Sequence, residues 1–495
     1  MAADRTLASV SYAVRPAVVA GYSGALCVLL AVCGLVPLLF VLLLRDWRYA
    51  GYQTLVCLVL GAAGLLLGRQ RPDVEVQRNE ALVIVALTFI VASLAFALPM
   101  TSRGLSFASA LFESVSGITT TGLTMIGDVD AQADVVLFSA AWLQWIGGLG
   151  IMVLGYALLF GQGINAMRLT GVLVEQGDLT GGTRACGRIL LAIYMIVTVA
   201  GILLLRLSGL DWFGSCTLAF AAISTGGYSP YTASIGGLGT FTQTVTMALA
   251  VCGAFSMLLY YRAWRGERRA LLLDPEIRAF WLLAAVVGGG LSFSLWHATG
   301  MNPGSALWNG ILTALSAQST TGFSLLPATS LDPESKLLLV FSMLTGGGMG
   351  STAGGIKLLR ILLLLSLLHR LILRTRLSEH TVTPNRLLGR EWSDEALQGT
   401  LLVILLHLLV VGLSWLAFLP WGYDPLDALF EVTSATGTVG LSTGITSTSL
   451  PVPLQMVLIA DMLLGRLEIL AILVFLAPRT WLGMRRGPGR QQETE

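Results

Sequence analysis

Charged residues are scarce in this sequence. Asp, Glu, Lys and Arg make up 12% of 495 residues, about half the share of a soluble domain. Hydrophobic residues make up 55%, which excludes a soluble globular protein. Thirty basic and 28 acidic residues leave a formal charge of +2, too little for nucleic-acid binding by bulk electrostatics. The six cysteines (Cys27, Cys33, Cys57, Cys186, Cys216, Cys252) are scattered and form no Cys-x-x-Cys pair. Neither a zinc site nor a disulfide framework is suggested. The four histidines (His297, His369, His380, His407) lie far apart. With no clustered His, Cys or paired acids, a membrane enzyme is strongly disfavoured. No secretory signal peptide is expected either: the apolar run Ala17 to Leu44 is too long and is followed by further spans.

Long apolar runs are abundant. Ten reach the roughly 20 residues needed to cross a bilayer. Two come first, Ala17–Leu44 and Tyr49–Gly68. The other eight fall into four units of span, short polar loop, span: Ala81–Leu98 with Val135–Phe160, Ile189–Leu207 with Phe241–Tyr261, Phe280–Trp296 with Leu337–Leu373, and Leu401–Leu419 with Leu454–Phe475. This divides the chain into an N-terminal helix pair (1–78) and units over 79–170, 171–270, 271–392 and 393–495.

Each loop carries the same small motif. Thr120-Thr121-Gly122-Leu123, Ser224-Thr225-Gly226-Gly227, Thr320-Thr321-Gly322-Phe323 and Thr438-Val439-Gly440-Leu441 recur about every hundred residues. A short amphipathic stretch precedes each: Ser106–Gly117, Asp211–Ile223, Ser305–Gln318 and Asp424–Thr436. Their first residues suit helix starts. Counting nine residues back from the glycine gives Glu113 and Glu431 in copies one and four, Thr217 and Thr313 in copies two and three, which supports internal repetition. Irregular backbone at membrane depth is tolerated only where protein buries it or where it lines water. The expected architecture is therefore all-α and polytopic: four pseudo-symmetric helix–pore loop–helix repeats around one pore, plus two N-terminal helices.

Basic residues crowd alternate connections: Arg69, Arg71 and Arg78; Arg168, Arg184 and Arg188; Arg262, Arg265, Arg268, Arg269 and Arg278; Arg370, Arg374, Arg376, Arg386 and Arg390; Arg479, Arg485, Arg486 and Arg490. The glycine loops hold few (Arg103, Lys336) and more acids, such as Asp128 and Asp332. The positive-inside rule puts both termini in the cytosol and the glycine loops outside; Arg45 and Arg48 oppose it and are outvoted.

The fourth motif is nearly the Thr-Val-Gly-Tyr-Gly filter of potassium channels, whose carbonyls replace an ion's water. Glycine gives access to the positive φ such a strand needs. A single Thr-Gly pair is an ordinary turn; four at matched positions point to a pore. Two further segments complete a pattern: Gly346-Gly347-Gly348-Met349-Gly350-Ser351-Thr352-Ala353-Gly354-Gly355-Ile356-Lys357, and Gly465-Arg466-Leu467-Glu468-Ile469. With the filters, they make the chain resemble the Trk/Ktr/HKT superfamily of potassium transporters, most closely its TrkH/TrkG branch, over about residues 80–480. The resemblance implies K+ as the transported ion, with all four filters as ligands and Gly122 favouring potassium over sodium. It implies a bacterial inner-membrane location and no bound organic cofactor in this chain. It also implies a homodimer and a cytosolic TrkA-like subunit that binds NAD or ATP.

So many glycines in a span cost about 1 kcal/mol each relative to alanine, so the third unit's second helix should break there. A packing device for close helices is the alternative reading. In the family the segment is a loop that obstructs the ion path, which makes Gly346, Gly347, Gly348, Gly350, Gly354 and Gly355 gate residues, with Lys357 and Arg466. Lys357 and Arg360 could contact the pore, though side chains reaching for the cytosolic edge are the better fit. Arg466 lies mid-span and must face water or a partner: either an ion pair with Glu468 or Asp461, or, as in the family, a cation below the filter that is displaced on opening. A proton- or sodium-coupled symporter would need a titratable group near the path. Glu113 and Glu431 are the candidates, yet structural hydrogen bonding suits their positions better. His407 reads as a packed neutral ring. Gly161-Gln162-Gly163-Ile164-Asn165-Ala166 imitates a dinucleotide fingerprint but follows an apolar helix, not a strand.

Overall fold

The structure is a computed structural model and describes residues 13–69, 74, 76–160, 182–376, 386–387, 390–392 and 394–482. Arg71, Arg168, His380, Arg485, Arg486, Arg490 and the 161–166 segment lie outside the described residues. Among the described residues the regular structure is helical, apart from an antiparallel pair of two-residue strands, Arg386–Leu387 and Arg390–Glu391.

Helices α1 (Pro16–Leu43) and α2 (Trp47–Gly68) form a hairpin. Asp46 caps α2 by accepting from the Tyr49 N–H at 3.2 Å. The pair packs closely because Gly24 and Gly64 oppose each other; a Cβ on Gly64 would lie 2.7 Å from Gly24 O. Small residues of this kind let backbones approach inside a membrane.

The chain then runs four times through long helix, short helix, loop and second helix. The first pass is α3 (Arg78–Thr101), α4 (Phe107–Ile118) and α5 (Asp134–Phe160). The second is α6 (Gly182–Leu207), α7 (Trp212–Ile223), and α8 (Thr240–Ala254) with α9 (Met257–Trp264). After a short α10 (Arg268–Leu273), the third is α11 (Pro275–Thr299), α12 (Pro303–Gln318), and α13 (Pro333–Leu344) with α14 (Leu358–Arg374). The fourth is α15 (Asp394–Phe418), α16 (Pro425–Thr436), and α17 (Val452–Arg466) with α18 (Leu470–Leu476), before a terminal α19 (Pro478–Trp481).

Among the described residues, seven helices are singly long and apolar enough to cross a membrane, and α8 with α9, bent by 93°, makes an eighth. The sequence reading expected one broken second helix. The structure has three, at 255–256, 345–357 and 467–469. Exposed leucines such as Leu58, Leu282 and Leu405 cover the outer faces, as a hydrocarbon surrounding requires.

The short helices start where side-chain oxygens cap free N–H groups. Ser106 accepts from Ser109 N at 3.1 Å, Asp211 from Gly214 N at 3.1 Å, and Asp424 from Leu426 N at 2.9 Å. The third begins earlier than Ser305: Asn302 caps it, accepting from Gly304 N at 3.0 Å, with Pro303 first in the helix. Their far ends are held by glycines. A Cβ on Gly147, Gly253 or Gly465 would collide with the carbonyl of Ile118, Ile223 or Thr436, each within the closing turn of a short helix or directly at its end. In the third pass a side chain does this work, Gln318 Nε2 donating to Thr345 O at 2.5 Å.

Candidate ion path

Each short helix ends in a loop of one conformation. Thr120, Thr225, Thr320 and Thr438 have φ between 50° and 55°, and Gly122, Gly227, Gly322 and Gly440 have φ between 70° and 97°. Left-handed backbone is expected for glycine and is strained for a β-branched residue. Such strain costs about 1–3 kcal/mol per residue and persists where the surroundings impose it. Finding it at the same place in four loops marks them as one device.

This conformation corrects the second motif by one residue. The N–H groups of Thr121, Gly226, Thr321 and Val439 bond back five residues, to the carbonyls of Ser116, Ala221, Ser316 and Ser434. Gly227, not Gly226, therefore corresponds to Gly122, and the second loop runs Thr225-Gly226-Gly227-Tyr228. Ser224 belongs to the helix end, its hydroxyl donating to Phe220 O at 2.7 Å. The Thr217–Thr313 match shifts with it. Adjacent glycines at 226 and 227 leave the register open until φ is known.

The four loops close a ring. A Cβ on Gly122 would strike Gly226 O, one on Gly227 would strike Thr321 O, one on Gly322 Val439 O, and one on Gly440 Thr121 O. Loop one thus abuts loop two, two abuts three, three abuts four, and four abuts one. All four left-handed threonines are buried. Thr120 and Thr438 have hydroxyls without a hydrogen-bond partner, while Thr320 Oγ1 accepts from Gly354 N at 2.7 Å. Buried polar atoms are normally satisfied, so orphans in this ring suit a cargo ion or its water.

The loops are braced from behind. Glu431 accepts from Ser442 Oγ (2.8 Å), Thr443 N (3.0 Å), Thr443 Oγ1 (3.3 Å), Thr446 N (3.0 Å) and the Thr446 hydroxyl. Glu113 accepts from Thr124 Oγ1 (2.8 Å) and Met125 N (2.5 Å). Both carboxylates clamp the chain just past the ring, as the sequence reading preferred. Gln144, which that reading missed, donates to Gly226 O at 2.6 Å and accepts from Tyr228 N at 3.2 Å. Its signal was an amide alone in the apolar run Trp142–Leu149. A buried donor left without its acceptor costs about 1–3 kcal/mol. Glu431→Ala, which removes five acceptor contacts, should lower the melting temperature of the purified protein by about 5 °C or more, whereas Asp128→Ala on an exposed loop should leave it unchanged. Equal melting curves would refute the clamp.

The glycine-rich segment forms a loop against this ring. Gly346 N donates to Ile356 O at 2.9 Å and Ile356 N to Leu344 O at 3.0 Å, closing its two ends. The break in α8–α9 supplies its sockets. A helix end leaves carbonyls free; Gly253 O accepts from Thr352 N (3.1 Å) and Ala254 O from Gly348 N (2.9 Å). Glu276 on α11, also unforeseen, accepts from Met349 N at 2.6 Å. A Cβ on Gly354 would collide with the Thr438 hydroxyl, so the loop touches the ring directly.

Arg466 is 3% exposed. Its Nη1 donates to Thr352 O at 2.6 Å, and Nε and Nη2 have no partner. The ion pairs considered from sequence do not form: Glu468 pairs with Arg360 (2.6 Å), and Asp461 accepts from Ser414 Oγ (2.6 Å). Lys357 and Arg360 are also buried rather than extended to an aqueous edge, and the Lys357 ammonium donates to Ala353 O. Three cations thus surround the loop with one carboxylate, Glu468, directly paired among them. His407 is buried with Nε2 unpartnered.

The TrkH family profile, described as a cation transport protein, matches residues 50–481. The chain belongs to the TrkH family. The Trk system potassium uptake protein TrkH of Halomonas elongata is 30% identical over 468 residues, covering 90% of this chain and 95% of that one. TrkH of Escherichia coli is 29% identical, covering 92% and 98%. The crystal structure of the potassium transporter TrkH from Vibrio parahaemolyticus superposes with a TM-score of 0.84 at 27% identity, over 95% of this chain and all of that one. Membership of the TrkH family makes this a membrane-spanning transport protein and not an enzyme, in line with the all-α polytopic fold expected from sequence.

Proposed function

We propose that this TrkH-family chain takes up potassium through the ring of four glycine loops. Carbonyl and threonine oxygens of 120–123, 225–228, 320–323 and 438–441 would replace the ion's water. The observation that carries the reading is the left-handed threonine repeated in four loops that abut in a closed ring. Orphaned hydroxyls on Thr120 and Thr438 support it, as do relatives named for potassium uptake. The loop containing Gly346, Gly347, Gly348, Gly350, Gly354 and Gly355 acts as the gate, held shut by Arg466, with Lys357 inside it. The protein works in the bacterial inner membrane with both termini cytosolic, as a homodimer under a TrkA-like nucleotide-binding subunit.

Rubidium uptake into liposomes holding the purified chain tests this. Saturable uptake that excess sodium barely suppresses is expected. Absence of uptake in sealed, correctly reconstituted vesicles, or equal suppression by sodium and potassium, would sink it. Glu113 and Glu431 are both engaged as clamps, so proton coupling is not favoured; uptake should be insensitive to a collapsed proton gradient at fixed membrane potential.

A further inference from the structure

The bend between α8 and α9 opens a cavity of about 510 Å³, lined by Thr244, Val251, Cys252, Phe255, Leu271 and Trp281 and floored by Leu312 and Leu315 of α12. The size suits a small-molecule or chain-like ligand. Its walls are mostly apolar, and two hydroxyls that line it are occupied, Thr244 Oγ1 donating to Thr240 O at 2.7 Å and Tyr260 Oη to Cys252 O at 2.8 Å. Thr244, Ala248 and Trp281 are exposed, so the cavity opens on the outer face of the helical body, where hydrocarbon lies. Its far end leads to α10. There Leu271 lines the cavity, and Arg268, one helical turn earlier, shares its face. Arg268 and its neighbour Arg269 are exposed, as is Arg265. An apolar slot that reaches Leu271, on a short helix whose exposed Arg268 lies one turn away, matches one class of molecule: an acyl chain joined to an anionic phosphate head group.

We propose that this cavity is a binding site for one anionic phospholipid, its acyl chain against Phe255 and Leu315 and its phosphate on Arg268. The site adjoins the gate sockets, since Cys252 and Phe255 flank Gly253 and Ala254, whose carbonyls hold Thr352 and Gly348. An occupied slot would therefore stiffen the frame on which the loop hangs. The proposal does not depend on which ion passes, so it can fail while potassium uptake stands, and the reverse.

The test is lipid retention by the full-length protein. Chain purified from membranes is washed in detergent, reconstituted with phosphatidylglycerol and phosphatidylcholine in equal amounts, rewashed, and its retained lipid is counted by native mass spectrometry. One retained phosphatidylglycerol per chain is expected, at least fivefold over phosphatidylcholine. Ala248→Trp, which fills the slot, should abolish retention. Arg268→Glu with Arg269→Glu, on the surface and safe for folding, should remove the head-group preference while leaving the melting temperature unchanged. Retention unaltered in the double variant, or no lipid held by the parent chain, overturns the proposal.

Discussion

Arg466→Ala should raise basal rubidium uptake by about thirtyfold in liposomes that hold no regulatory subunit. The guanidinium is buried, carries no carboxylate partner, and donates to Thr352 of the loop beneath the ring. A unit charge roughly 8 Å from a passing cation raises its energy by about 2 kcal/mol at an effective dielectric constant near 20, which is about thirtyfold in rate. Removing Arg466 also frees the Thr352 carbonyl, so two effects act in the same direction. They separate with other variants. Arg466→Lys retains the charge and should keep uptake low. Arg466→Gln can still donate to Thr352 O but is neutral. Uptake like that of the alanine variant assigns the barrier to charge, and uptake like that of the parent assigns it to the loop anchor. An alanine variant that is monodisperse and no leakier than the parent would remove Arg466 from the gate.

Much of this arrangement was legible in the sequence because the bilayer restricts what a backbone can do. Apolar runs of fixed length gave the helices, and recurring Thr-Gly pairs located the four loops. Cap residues gave three of the four short-helix starts; the third misled because Ser305 is a good cap too, and Asn302-Pro303 is a better one. The breaks in α8–α9 and α17–α18 were not legible. The latter falls at Leu467-Glu468-Ile469, which contains neither glycine nor proline, yet Glu468 and Ile469 take φ of 56° and 61°. Tertiary contact imposes that conformation, as Gly465 is pressed against Thr436 and Glu468 is drawn to Arg360. The partner of Arg466 was equally hidden. Sequence proximity suggested Glu468 or Asp461, and the observed acceptor is a carbonyl 114 residues away. Side-chain pairing between distant segments leaves no periodic trace, whereas spans and caps are local.

The left-handed glycines of the ring should be the least replaceable positions in the chain, and the second loop tells which glycine matters. Gly227 has φ 70°, and a Cβ there would enter Thr321 O of the next loop. A left-handed non-glycine residue costs about 1–2 kcal/mol, and backbone overlap adds more, because the carbonyl it meets belongs to the ring itself. Gly226 lies outside the positive-φ set, and what a Cβ would meet there is the Gln144 side chain, the brace behind the loop rather than the backbone of the ring. Gly227→Ala should therefore lower rubidium uptake at least a hundredfold, with Gly122→Ser and Gly440→Ala alike, while Gly226→Ala should lower it by less than tenfold. In Gly122→Ser, whatever uptake remains should be more readily suppressed by sodium, since a widened or tilted ring loses the spacing that favours the larger ion. The comparison also tests register independently of magnitude. If Gly226→Ala were the more damaging of the two, the second loop would run Ser224-Thr225-Gly226-Gly227, as its resemblance to the other three motifs first suggests. The ring of contacts from each glycine to the next loop's carbonyl would then be wrong at that junction.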